Sequence, residues 1–198
     1  MSFAGDAYVN EMGVTSRLFP EENAPNGQAA LLAKFDKVAD PEDTVDPVTG
    51  KGDIDAAADF MRLIAPPSPL PLSASAKRGK LVFEQVQCAT CHTPSLRTGP
   101  SAIAALSYKP VNLYSDLLLH DMGALGDGIV QGDAQANEMR TPPLWGLRVS
   151  APYLHDGRAS NIEQAIRAHD GEALNARRRF ENLPAAQRQQ LIDFLKSI

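Results

Sequence analysis

The only two cysteines of this chain stand three residues apart, in Cys88-Ala89-Thr90-Cys91, and a histidine, His92, follows the second directly. Cys-x-x-Cys-His is the attachment sequence of a c-type haem. Chemistry sets the spacing. Two thioether bonds to the haem vinyl groups need thiols about a helical turn apart, and the next residue then delivers an imidazole nitrogen to the iron. The sequence predicts one covalent haem c, joined through Cys88 and Cys91, with His92 as its proximal ligand. Two other chemistries use such a pair: a dithiol/disulfide redox centre and half of a zinc site. The first expects a βαβ setting that the apolar pattern does not supply. The second lacks another cysteine pair and would have to draw on scattered histidines.

With 198 residues, 43% of them hydrophobic and 22% charged, the chain is long enough for one well-buried core and an appended subdomain. A net charge of -5, with no basic run except Arg177-Arg178-Arg179, argues against a nucleic acid or an anionic membrane surface as partner. That triplet reads as a solvated helix face. No stretch approaches the roughly 18 apolar residues of a membrane span, and the first residues show neither a basic n-region nor an apolar h-region. Because c-type haem is attached after export to an oxidising compartment, the expected location is the periplasm. The natural chain is accordingly expected to begin upstream of Met1.

Residues 1 to about 50 carry turn signals at Pro25-Asn26-Gly27, Asp40-Pro41 and Asp46-Pro47 and read as loop-rich. Asp55 to Ile64 has helical spacing of apolar residues and stops before Pro66-Pro67. Pro66 to Leu72 reads as an extended linker. From Ser73 the pattern becomes that of a compact helical domain, opening with a helix on which Gly79 and Phe83 share one face. The chain closes with a second amphipathic helix bearing Leu191, Ile192, Phe194 and Leu195, starting near Asn182 or Leu183. A first helix with a small residue, crossed closely by a last helix bearing Leu and Phe, resembles the helix pair at the core of cytochrome c domains. The expected fold class is all-α: a loop-rich segment with one helix and a Pro-rich linker over 1–72, then a cytochrome c-like haem domain over 73–198.

Whether the second axial position of the iron is filled decides between electron transfer and small-molecule chemistry. The candidates are Met122, Met139, His120, His155 and His169. Ser160-Asn161-Ile162-Glu163 matches a capping box with Ser160 at the N-cap. Counting from it, Ile162, Ala165, Ile166 and His169 fall on one helix face, with Gly171 ending the helix. His169 alone would read as a core histidine or a cation at a helix C-terminus. Beside a haem motif it becomes the leading axial ligand, with Met122 the alternative.

Arg140-Thr-Pro-Pro-Leu-Trp-Gly-Leu, Ala151-Pro-Tyr-Leu-His-Asp-Gly-Arg158 and Ile162-Glu-Gln-Ala-Ile-Arg-Ala-His169 together resemble the C-terminal half of the bacterial dihaem cytochrome c peroxidase superfamily. The resemblance is closer to its di-haem thiol oxidoreductase branch. It takes in Asp116-Leu-Leu-Leu-His-Asp-Met-Gly123 and Asn10-Glu-Met-Gly-Val-Thr-Ser-Arg-Leu-Phe-Pro20, so it covers nearly the whole chain. Such proteins use two haems, an N-terminal one where peroxide binds and a C-terminal one that relays electrons. The methionine that ligates their relay haem falls on His169 here, which implies a lower potential. The chain has a single Cys-x-x-Cys-His, so the peroxidatic domain is not in this polypeptide, and Met1 to Ala65 looks like the family's connecting segment.

The resemblance further implies that His155 hydrogen-bonds a haem propionate or the linking segment, and that Thr141 and Pro143 offer carbonyls to a calcium ion. Arg140 and Arg158 are candidates for pairing with haem propionates, where the guanidinium fork suits a carboxylate. Trp145 reads as core or as a residue between donor and haem. The expected function is an electron-transfer domain with a His92/His169 haem, serving an electron-donor protein and a second haem domain and not catalytic alone. The alternatives are a free-standing electron-carrier cytochrome and a haem that itself reacts with peroxide.

Overall fold

The computed structural model describes residues 1–130 and 132–198 and divides the chain into two compact units, Met1–Ala65 and Pro66–Ile198. The first unit holds α1 (Ser2–Ala7), α2 (Ala29–Phe35) and α3 (Asp53–Leu63). α3 begins where Asp43 accepts the backbone N–H groups of Asp53 and Ile54, at 2.6 and 3.2 Å, satisfying donors that a helix start leaves without partners. Ile54 and Ala58 bury one face of α3 against Ala4 of α1. Arg17 pairs with the largely buried Asp55 at 2.8 Å and ties the loop after α1 to that helix.

The second unit is built around α4 (Ala74–Gln85) and α7 (Ala185–Leu195), with α5 (Ile162–Arg167) and α6 (Leu174–Glu181) between them in sequence. Ser73 caps α4 by accepting the N–H of Ala76. α4 and α7 cross where Gly79 lets the backbones meet: a Cβ built there would overlap the carbonyl oxygen of Gln190 and lie 2.8 Å from Phe194 Cβ. Around the crossing Val82, Phe83 and Val86 pack on Leu191, Phe194 and Leu195, and Phe180 and Ile162 complete the core. Phe83, Phe194 and Tyr114 form an edge-to-face triad with centroids 5.5 to 6.0 Å apart. Burying each of the two phenylalanine rings contributes about 1.5–3 kcal/mol. The run Pro66–Leu72 belongs to this unit, with Leu70 N–H donating to Ser197 O at 2.7 Å.

The all-α expectation does not hold. Two antiparallel ladders stand among the helices, β1 (Leu96–Arg97) with β2 (Pro110–Val111), and β3 (Leu119–Asp121) with β4 (Glu138–Arg140). Their strands are two or three residues long, too short for an alternating pattern to appear in sequence. The start of α5 also differs by one residue. Asn161, not Ser160, is the N-cap, accepting from Gln164 N at 2.9 Å, while Gln164 Oε1 accepts the Ser160 N–H.

Candidate functional site

α4 ends at Gln85 with Val86 as its C-cap, and Gln87 turns the chain through a left-handed conformation (φ 68°) into a 3-10 turn over Cys88–Thr90. His92 N–H then donates to Cys88 O at 2.9 Å, so one helical turn carries both thiols and the imidazole. Both cysteines are free and half-buried. Burial pushes the Cys88 thiol up to about 12, and burial followed by the charges of Asp116 and Glu172 raises that of Cys91. A redox dithiol needs an electropositive setting that favours the thiolate. These surroundings do the opposite. A zinc site using both cysteines is not formed either: among the described residues, the ligand-type side chains grouped with Cys91 are Asp116 and His120, and Cys88 is not with them.

His92 donates from Nδ1 to the carbonyl of Tyr114 at 3.0 Å, which leaves Nε2 as the nitrogen with a free lone pair. His169 repeats the arrangement, its Nδ1 donating to Ala165 O at 2.8 Å. Such a bond from the far nitrogen is the usual way of fixing a metal-binding imidazole's tautomer and ring direction. His169 lies just past the end of α5, its N–H bonded to Ile166 O. The two imidazoles are neighbours, with centroids 6.4 Å apart and planes at 54°. A bond of about 2.0 Å from each nitrogen to a metal, plus roughly 1.1 Å from nitrogen to ring centre, would separate the centroids by about 6.2 Å. The spacing therefore fits one ion held between the rings. Burial lowers the pKa of both, that of His92 to about 4, so each is the neutral imidazole that binds metal.

The loop that carries His169 is fixed from outside. Glu172 accepts the Asp121 N–H at 3.0 Å and His120 Nδ1 at 2.9 Å, and His120 Nε2 meets Asp116 at 2.9 Å. Gly171, at φ +55°, passes under β3, where a Cβ would collide with the Asp121 carbonyl. Asp116 N–H in turn donates to Cys91 O at 2.8 Å, so one network spans the attachment turn and the His169 loop. The Glu172 bond, with that of Asp116, raises the His120 pKa, and His120 lowers that of Glu172. For Asp116, burial acts upward but is outweighed by the Leu118 N–H and His120.

The sign of the pH effect follows. The contribution of His120 is fully present below its unfolded pKa of about 6.5 and is lost as pH rises through the raised folded value. Those of the two carboxylates are present above about pH 4.3 and lost as pH falls through their lowered folded values. Urea midpoints of the second unit are expected to fall as pH rises from 6 to 9. His120→Gln should flatten that limb, and an unchanged slope in the variant would remove the network from the account.

Met122 and Met139 are half-buried, Met122 N–H donating to Asn137 O and Met139 standing in β4 opposite His120. His155 is exposed. Arg140 is exposed at the end of β4, and Arg158 pairs with Asp156. Thr141 is buried and its carbonyl accepts the Ser115 hydroxyl at 2.7 Å. Trp145 donates to Asn112 O at 2.8 Å. Sequence reasoning overlooked the Asp116–His120–Glu172 network, which joins residues 56 positions apart. It also treated Arg177 as one of three solvated arginines, although Arg177 stands three residues before the fully buried Phe180, a spacing that turns it inward.

A family model described as "Di-haem oxidoreductase, putative peroxidase" matches residues 4–198. The cytochrome c peroxidase Ccp of Escherichia coli K12 is 26% identical over 170 residues, 76% of this chain and 35% of that protein. The cytochrome c551 peroxidase of Nitrosomonas europaea is 26% identical over 61% of this chain and 33% of its own length. The methylamine utilization protein MauG of Methylophilus methylotrophus is 25% identical over 64% of this chain and 37% of its own length. The chain thus spans about a third of the curated relatives it matches. Among solved structures, a chain of Kuenenia stuttgartiensis hydrazine synthase superposes with a TM-score of 0.50 at 20% identity, covering 73% of this chain and 55% of that one, a likeness of fold alone. Among the described residues, no helix is long and apolar enough to cross a membrane.

Proposed function

We propose that this chain, which belongs to the di-haem oxidoreductase family, works as an electron-relay unit with one haem c joined to Cys88 and Cys91 and held axially by His92 and His169. The observation that carries the reading is the pair of neighbouring neutral imidazoles with centroids 6.4 Å apart, each with Nδ1 bonded to a backbone carbonyl and Nε2 free. Haem bound there would supply a one-electron Fe(III)/Fe(II) couple. The protein's part is to hold both ligands, so that neither position is left for peroxide, and to change little between the two states. Phe83 of the aromatic triad stands near His92, and the carboxylate–histidine network holds the loop that follows His169. Peroxide chemistry, which the names of the relatives indicate for those proteins, would then occur at a second haem outside this chain. An electron-donor protein and a periplasmic location follow from the same reading.

Expression with haem-ligation machinery and intact mass after acid–acetone extraction test it. The expected mass is the polypeptide plus one haem, and the bare polypeptide mass would overturn the assignment. The loaded chain should also turn over peroxide far below the ordinary enzyme range of about 1–1,000 per second. Rates within that range would make this haem the catalytic one.

A further inference from the structure

Arg177 is unlike its neighbours in Arg177-Arg178-Arg179. Arg178 and Arg179 are exposed, whereas the Arg177 side chain is about three-quarters buried and its Nε is enclosed with no hydrogen-bond partner. Leaving a charged donor buried and unsatisfied costs more than leaving a neutral one, so native structures seldom keep one without a purpose. The nearest carboxylate, on Asp170, is 3.9 Å from Nη1, too far for the two-pronged bond a guanidinium makes with a well-placed acid. Asp170 directly follows His169, so the guanidinium lies against the loop that carries this imidazole.

Arg158, by contrast, already pairs with Asp156, and Arg148, whose Nη1 is likewise enclosed without a partner, spends its Nη2 on the Ser68 carbonyl. Of these arginines, the one with an unfilled donor that also reaches the loop carrying His169 is Arg177. What the site lacks is an anion within reach of Nε. Haem c carries two carboxylates at its edge that no covalent bond uses.

We propose that Arg177 is the cationic partner of a haem propionate, through the buried Nε that no protein group satisfies. The inference rests on the haem reading above and deepens it, assigning the carboxylate contact to α6 rather than to Arg140 or Arg158. A cation paired with a propionate offsets negative charge close to the iron and favours the reduced state. Arg177→Gln is therefore expected to shift the reduction equilibrium about tenfold toward the oxidised form, about 59 mV for a one-electron couple. Arg177→Lys, which keeps the charge, should restore most of the shift. Arg178→Gln, one residue on and exposed, should leave the potential where it was.

The experiment is spectroelectrochemical titration of the haem-loaded chain and these three variants. A potential for Arg177→Gln within twofold of the wild-type equilibrium, with haem present, overturns the Arg177 assignment and leaves the ligand reading standing. A wild-type chain whose mass shows no haem overturns both. Should Arg177→Gln fail to load, resonance Raman of Arg177→Lys carries the test. The propionate-bending band is expected to move from its wild-type position, and an unmoved band overturns the proposal.

Discussion

His169→Ala is expected to convert a low-spin, six-coordinate haem into one with an open position that takes up cyanide or peroxide stoichiometrically, where the wild-type protein takes up neither. His169 projects from the end of a short helix, and its ring direction is set by one bond from Nδ1 to Ala165 O. Asp170, Gly171 and Glu172 then tie the following loop to β3, so removing the side chain leaves a gap that the backbone cannot close by moving inward. His169→Met is the complementary change. A thioether is a weaker donor to ferric iron than imidazole, so the potential should rise and the weak long-wavelength sulfur-to-iron band should appear. A low-spin spectrum unchanged in His169→Ala would mean that another side chain fills the position, with Met122 the first to examine.

Gly79→Ala is expected to destabilise the second unit by about 3 kcal/mol or more, because the obstacle is backbone rather than the end of a flexible side chain. A single methyl group there meets the Gln190 carbonyl and crowds Phe194 Cβ, so α4 and α7 must separate. Separation would loosen the Phe83–Phe194–Tyr114 triad and, through the Tyr114 carbonyl, the bond that orients His92. Thermal unfolding of the haem-loaded protein should show Tm lower by roughly 10 °C. An unchanged Tm would mean that the two helices do not cross at Gly79.

How much of this was legible in the sequence varies with the range over which each feature is determined. The attachment turn is read directly, because Cys88, Cys91 and His92 are neighbours and their chemistry requires that spacing. The helix crossing is legible because Gly79 interrupts an otherwise ordinary amphipathic pattern four residues from Phe83. The cap of α5 was displaced by one residue because Ser160 and Asn161 are both good caps, and each has an acceptor three residues on, Glu163 or Gln164. Asn161 with Gln164 wins in the structure. The ladders were not legible at all. They arise where distant segments cross, as Leu119–Asp121 meets Glu138–Arg140, and no period marks three residues. The same long range hid the Asp116–His120–Glu172 network. Arg177 was hidden differently, since its exposed neighbours make the triplet look uniformly solvated.

Low-temperature paramagnetic resonance together with near-infrared spectra of the ferric, haem-loaded wild-type chain tests the central claim most directly, because it reports the two axial atoms without any substitution. The account predicts a low-spin centre with two imidazole nitrogens and no thioether band. A high-spin centre, or a low-spin one showing the thioether band, would contradict it.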